Sequence, residues 1–192
     1  MRKLGVFLLA LLAVPVLALS PEEIWKALLA HGKVQGYVAS VRQGPVVYKV
    51  AYRRPYLRID WVEGPAYLKG SALVTDGVRA FSRALGGPWQ PTKAAPPEDP
   101  LSPLFSDPEG MRARYELREL GEKEGLWSFV LTLKTLPKDP QAAAAWRILI
   151  NPKGHLPFRY EVLSPSGRVL AQAEYLALEP VPPSLDQFEV LR

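Results

Sequence analysis

The chain has no cysteine, only two histidines and a single asparagine, Asn151. Without cysteine there is no disulfide framework, no thiolate nucleophile and no thiolate metal site. There is also no cysteine near the N-terminal leader to carry a lipid anchor. His31 stands at the end of a helical segment, where it complements the helix dipole, and His155 stands in the turn Lys153-Gly-His-Leu-Pro157. Neither has ligand-spaced partners, so no metal is expected. Gly-x-Ser-x-Gly, a glycine-rich phosphate loop and His-Glu-x-x-His are all missing. The pairs Glu22/Glu23 and Glu98/Asp99 are adjacent in sequence, which suits capping and loop solvation better than paired acid/base work. The expectation is a protein without catalysis and without a cofactor.

Blocks of like charge are lacking as well. The formal charge is +5, but the basic residues are spread along the chain, so no nucleic-acid partner is expected. Long apolar runs are confined to the N-terminus. Arg2 and Lys3 precede an uncharged apolar run, Leu4 to Leu17, and Val16-Leu-Ala18 offers small residues for cleavage after Ala18. A membrane-spanning helix needs about 20 apolar residues, more than this run supplies. We therefore expect a cleaved secretory signal over residues 1–18 and one domain over 19–192. The mature chain should be soluble, unanchored and periplasmic, with secretion as the alternative.

What the chain has in quantity is strand pattern. The first element is a helix: Ser20-Pro21-Glu22-Glu23 reads as a capping box with proline at the first helical position. Ile24 and Leu28 share a face, with Trp25 and Leu29 beside it, and Gly32 ends the helix. Strands are expected at Gln35–Arg42 and Val46–Arg53, joined through Gln43-Gly44-Pro45, then at Tyr56–Val62 and on both sides of Asp76-Gly77. Leu57, Ile59 and Trp61 alternate with Arg58 and Asp60, so one face is apolar and the other wet. In the second half Arg112–Leu120 reads as a strand. Trp127, Phe129, Leu131 and Leu133 then give the cleanest two-residue period in the chain. Trp146–Ile150, Phe158–Leu163 and Val169–Leu178 follow, with a last short strand around Phe188–Leu191.

Two segments break the pattern. Leu85–Pro108 is rich in proline and glycine yet carries Trp89, Leu101, Leu104 and Phe105, which a disordered linker would lack. It reads as an ordered flap with a helical turn near Leu101–Phe105, or as a plug for one barrel end. Pro137–Ala145 reads as a second flap with a short helical cap. The total is nine to eleven antiparallel strands, a long N-terminal helix and two flaps. So large a sheet curls into a barrel or half-barrel, and the helix lies against its concave side. A wide barrel that its own side chains do not fill leaves a ligand cavity. The expected lining is Leu57, Ile59, Trp61, Trp127, Phe129 and Leu131, subject to the strand register.

The order helix-then-strands, with Tyr52-Arg-Arg-Pro-Tyr-Leu57, Leu73-Val-Thr-Asp-Gly77 and Pro183-Ser-Leu-Asp-Gln-Phe-Glu-Val190, resembles the bacterial periplasmic lipoprotein-carrier (LolA-like) family of outer-membrane lipoprotein sorting. Phe81 stands where that family has a larger aromatic residue, and its Pro-Gly tail is missing here. The resemblance implies an unclosed antiparallel β-barrel, mainly β with α, whose concave face is covered by the N-terminal helix and short flaps. It also implies a hydrophobic cavity for lipoprotein or lipid acyl chains. An inner-membrane donor protein and an outer-membrane acceptor protein would stand at the two ends of transfer, and the carrier itself would be a monomer. Arg54, immediately before Pro55, would control the lid. Other readings are an envelope-stress sensor on the same scaffold, an interaction protein with a filled barrel, and an enzyme whose residues converge in space.

Overall fold

In the computed structural model the described residues are 20–23, 25–26, 35–93, 108–151 and 157–191. The signal segment, Ile24, Leu28, Leu29, His31, Gly32, Leu101, Leu104, Phe105 and His155 lie outside them. Among the described residues eleven strands form one antiparallel sheet: β1 Gly36–Gln43, β2 Val46–Arg53, β3 Tyr56–Glu63, β4 Ala72–Thr75, β5 Ala80–Arg83, β6 Gln90–Pro91, β7 Tyr115–Lys123, β8 Leu126–Leu133, β9 Ala145–Ile150, β10 Pro157–Leu163 and β11 Val169–Glu179. Their spatial order is β6-β5-β4-β3-β2-β1-β11-β10-β9-β8-β7, so β6 and β7 are edges and the barrel is unclosed.

The strands follow local chemistry. At the β4–β5 turn the Asp76 carboxylate accepts the backbone N–H groups of Val78 and Arg79 at 3.0 and 2.7 Å, and Gly77 supplies a φ of +87°. Thr75 Oγ1 accepts the Gly77 N–H at 3.0 Å and donates to the Arg79 carbonyl at 2.7 Å. Side chains alternate across the sheet. Ile59 on β3 and Phe129 on β8 nevertheless join one cluster with Val50, Tyr160 and Tyr175. Residues that many strands apart share a core only because the sheet curls.

Two helical pieces lie on the concave side. Helix α1 contributes residues 21–23, 25 and 26 to the described set. Its capping box forms as expected: the Ser20 N–H donates to Glu23 Oε2 at 2.7 Å, and the Glu23 N–H donates to Ser20 Oγ at 3.3 Å. The Ser20 backbone N–H, and then its hydroxyl, donate to the Glu23 carboxyl and hold it below its ordinary pKa. Helix α2 is Pro108–Arg114. Trp25 from α1 and Met111 from α2 are both buried in the concave cluster, and Arg112 Nη2 reaches Glu22 Oε2 at 3.2 Å, tying the two helices together.

Three expectations are corrected. Arg112–Leu120 is not one strand: α2 ends at Arg114 and β7 begins at Tyr115. Proline at the first helical position and basic residues in the last turn favour the helix, and burial of Met111 holds it down. The alanine run gives turns rather than a helical cap, because Ala145 joins the ladder between Thr132 and Leu163. The last element is a pair of 3₁₀ turns, Leu185–Leu191, not a strand. Phe188 and Leu191, three residues apart, fall on one side of such a turn and are both buried. They settle on the convex face with Ala51 and Val74, and with Tyr56, Phe81, Trp89 and Val190 around them.

Candidate functional site

The concave side carries the largest apolar cluster among the described residues. It gathers Tyr37, Ala39 and Val41 from β1, Tyr48, Val50 and Tyr52 from β2, and Ile59 from β3. From the other half it takes Phe129 and Leu131 from β8, Ile148 and Ile150 from β9, Tyr160 from β10, and Ala173 and Tyr175 from β11. Leu57, Trp61, Tyr115, Leu117, Trp146, Val162 and Leu178 are half-buried around it.

Five of the six residues expected to line the cavity belong to this cluster. Ile59, Phe129 and Leu131 are buried at its centre, and Leu57 and Trp61 stand at its margin. The register explains the grouping. Ile59 lies opposite Val50 and Leu73, Trp61 opposite Tyr48, Phe129 opposite Ile148, and Leu131 opposite Trp146. Trp127 shares the alternation of Phe129 and lies opposite Ile150, but it is half-buried beyond the cluster.

Trp89 goes elsewhere. It precedes β6 on the convex face, with the guanidinium of Arg83 4.8 Å and that of Arg58 5.9 Å from its ring centroid. Its assignment to a flap over the cavity is thereby corrected. Cation–π contact with two arginines and packing beside Phe188 draw it outward. The other flap residues, Leu101, Leu104 and Phe105, lie outside the described residues.

Arg54 sits in the β2–β3 turn and is exposed. Its neighbour Arg53 serves the opposite face, where Nη1 donates to the Pro183 carbonyl at 2.9 Å. Arg58 Nη1 donates to the Gln187 carbonyl at 3.1 Å, and Arg79 Nη2 donates to that of Leu191. Three arginines thus satisfy carbonyls of the C-terminal segment 183–191, two of them within the 3₁₀ turns.

A tyrosine set was not anticipated. Tyr37, Tyr48, Tyr52, Tyr160 and Tyr175 are all buried on the concave side. Ring centroids are 5.4 Å apart for Tyr37–Tyr52 and 6.1 Å for Tyr160–Tyr175. Burial raises the pKa of Tyr48, against a hydrogen bond with Tyr160 that lowers it. Burial likewise raises that of Tyr52, opposed by the charge of Arg54. Both phenols are therefore neutral donors near pH 7. Each tyrosine alone reads as an ordinary strand aromatic; only their shared parity with Val50 and Ile148 could have marked them.

The convex face differs in chemistry. Glu161, nearly fully buried, is met by Arg147 Nη1 at 2.8 Å and Lys123 Nζ at 3.3 Å. A cavity of about 210 Å³ on the same side is lined by Arg42, Gly44, Arg159, Gln172, Ala173 and Glu174. Its charged and amide side chains lie across the sheet from the apolar cluster. Among the described residues no group of three or more His, Cys, Asp or Glu side chains could hold a metal. No helix among them is long and apolar enough to cross a membrane.

No family model matches the chain, and no curated protein matches it. Solved structures do. An uncharacterized conserved protein from Thermus thermophilus is 14% identical with a TM-score of 0.53, over 88% of this chain and 91% of that one. A LolA superfamily protein from Nitrosomonas europaea is 12% identical with a TM-score of 0.41, over 88% and 97%. The MucA/MucB complex of Pseudomonas aeruginosa gives 17% and 0.44, over 85% of this chain and 59% of the matched one. A LolA superfamily protein thus stands among the structures this chain is similar to. At such identities the likeness is one of fold: an unclosed antiparallel sheet.

Proposed function

We propose that the protein is a periplasmic carrier that shelters the acyl chains of a lipoprotein or lipid on its concave face, without catalysis. The observation that supports this most is the continuous apolar cluster spanning β3 to β8, on which Trp25 and Met111 from the two helices pack among the described residues. A helix held by side-chain packing is easier to displace than a strand held by ladder hydrogen bonds. Each methylene transferred from water to such a face gains about 0.8 kcal/mol, which works against the contacts that opening would lose. Leu57, Ile59, Trp61, Phe129 and Leu131 then contact the chain, with Trp127 at its outer end. Arg54, at the mouth between β2 and β3, acts on opening. Export, cleavage after Ala18 and exchange with a membrane donor and acceptor complete the reading.

The test is native mass spectrometry of the mature protein purified from its own envelope, with extraction of what accompanies it. A retained mass of acyl-chain size, and uptake of a fluorescent fatty acid after delipidation, are expected. Reproducible absence of both would sink the reading. A sensor on the same scaffold would bind the chains but would not speed their passage between donor and acceptor vesicles, and that second assay separates the two roles.

A further inference from the structure

Two charged rows lie side by side on the convex face, and only one is closed on itself. Glu161 is held by Arg147 at 2.8 Å and by Lys123 at 3.3 Å. In the next row the register sets Arg42 on β1 opposite Glu174 on β11, and Glu174 opposite Arg159 on β10. Their neighbours Val41, Tyr175 and Tyr160 belong to the concave cluster, so these three side chains stand on the other face. Arg42 Nη1 is 3.9 Å from Glu174 Oε2, beyond hydrogen-bond reach. Arg159 Nη1 reaches out of the row, to Glu124 Oε2 at 3.5 Å. Gln172 shares the face of Glu174, and its amide makes no hydrogen bond among the described residues.

These four side chains line the cavity of about 210 Å³, with Gly44 of the β1–β2 turn among its walls. At ~30 Å³ for each water it has room for about seven, the size of a small polar molecule. Its charged walls stand on three strands joined by ladder hydrogen bonds. Bulges at Ser40/Val41 and at Val162/Leu163 bracket the row, and such bulges re-aim the side chains beside them. The charges alternate as cation, anion, cation. A plain anion meets two guanidinium groups but also the carboxylate between them. A plain cation meets Glu174 but also both arginines. A neutral sugar ring finds donors and acceptors but no aromatic face in the walls. A molecule carrying both charges finds an opposite charge for each.

We propose that this cavity binds a small zwitterion, its oxyanion on Arg42 and Arg159, its ammonium on Glu174, and the Gln172 amide beside them. Guanidinium offers a planar fork that suits a carboxylate and a phosphodiester alike. The ligand is therefore an amino acid or the head group of a zwitterionic phospholipid, one chemistry from two sources. The site lies across the sheet from the acyl-chain face and stands independently of that reading.

The experiment compares 4-aminobutyrate with butyrate and butylamine, equal chains carrying both charges or one, at low salt. Two-dimensional NMR of the nitrogen-15-labelled mature protein follows the Gln172 side-chain amide and the arginine Nε–H signals. 4-Aminobutyrate should bind in the millimolar range and about fivefold more tightly than either control. Glu174→Gln should erase its preference over butyrate, because the ammonium loses its partner and the anion loses a repulsion. Arg42→Gln should weaken 4-aminobutyrate and butyrate alike, several-fold. Glycerophosphoethanolamine against glycerophosphoglycerol repeats the comparison with a phosphodiester, so the larger of the two preferences identifies head group or amino acid. Butyrate binding as tightly as 4-aminobutyrate would make this a plain anion site and overturn the proposal, and butylamine matching it would do the same. A preference that Glu174→Gln leaves unchanged would overturn it too, as would no shift of these signals at about 50 mM of each probe. The comparison within the unaltered protein needs no variant to fold.

Discussion

Tyr56 stacks on Phe188, ring centroids 5.4 Å apart and planes inclined by 28°. That contact fastens the C-terminal turns to the convex side of β3. Phe188 is 1% exposed and shares its cluster with Leu191, Val74 and Ala51. Phe188→Ala removes an aromatic side chain from a closed site and should cost about 3–5 kcal/mol. A urea denaturation midpoint checks this, and the acyl-probe affinity of the folded fraction should not change, because the site lies across the sheet. A loss under about 1 kcal/mol would mean that the turns are not docked there.

Asp76 reports on the β4–β5 turn through pH. The Arg79 backbone N–H, then the Arg79 guanidinium, and then the Val78 N–H hold its carboxyl well below the ordinary value of 3.8, at about 2. The folded pKa is depressed, so the stabilisation is fully present above the unfolded value and is lost as pH falls from about 3.8 towards 2. Asp76→Asn should flatten that part of the stability profile and leave the slope above about pH 5 untouched. Chemical denaturation at a series of acid pH values checks it.

Glu161 and Arg147 should respond unequally to loss of the partner. The Glu161 side chain is 5% exposed, those of Arg147 and Lys123 are 23% and 40%. Arg147→Leu leaves a buried carboxylate with one long contact to Lys123 and should cost about 2 kcal/mol, less than for a fully enclosed pair because water reaches the cations. Glu161→Leu frees two cations that solvent can reach, and should cost less than about 1 kcal/mol. The reverse order in thermal denaturation would contradict this account of the convex face.

Gly36 sits closer to neighbouring backbone than a side chain allows. Its neighbours are main-chain atoms of Tyr52, Arg53 and Pro182, which cannot step aside as a flexible side chain would. Gly36→Ala should destabilise by about 2 kcal/mol or more, read as a fall in the urea denaturation midpoint. Gly121→Ala, where an added Cβ meets nothing within 4 Å, should stay within about 0.5 kcal/mol of the original.

The triplets Leu57-Ile59-Trp61 and Trp127-Phe129-Leu131 were legible because a two-residue period is local. That both face the same way was a conditional expectation, since their relative side depends on register through β2, β1, β11, β10 and β9. Helix α2 was read as strand because Ala113, Tyr115 and Leu117 alternate across its junction with β7; Pro108-Glu109 was the local sign of a helix start. The C-terminal turns hid for a related reason. Phe188 and Leu191 lie three apart, a spacing that a short apolar strand also tolerates, and the arginines that replace its ladder come from distant β2, β3 and the β4–β5 turn. Trp89 was misplaced because Arg58 and Arg83 are remote from it in sequence. The export signal and flap residues 101–105 remain sequence expectations.

Acyl chains lying on the concave face would be reported by the five tryptophans. Trp25, Trp61 and Trp146 belong to that face, Trp127 continues its alternation, and Trp89 lies on the other side of the sheet. A brominated fatty acid quenches tryptophan at contact range. Titrating 9,10-dibromostearate into the delipidated protein should quench most of the emission, and Trp89→Phe should leave the quenched amount intact. Trp61→Phe with Trp146→Phe should remove a large part of it. Quenching lost with Trp89, or no quenching in protein that remains folded, would contradict the placement of the chains on the concave face.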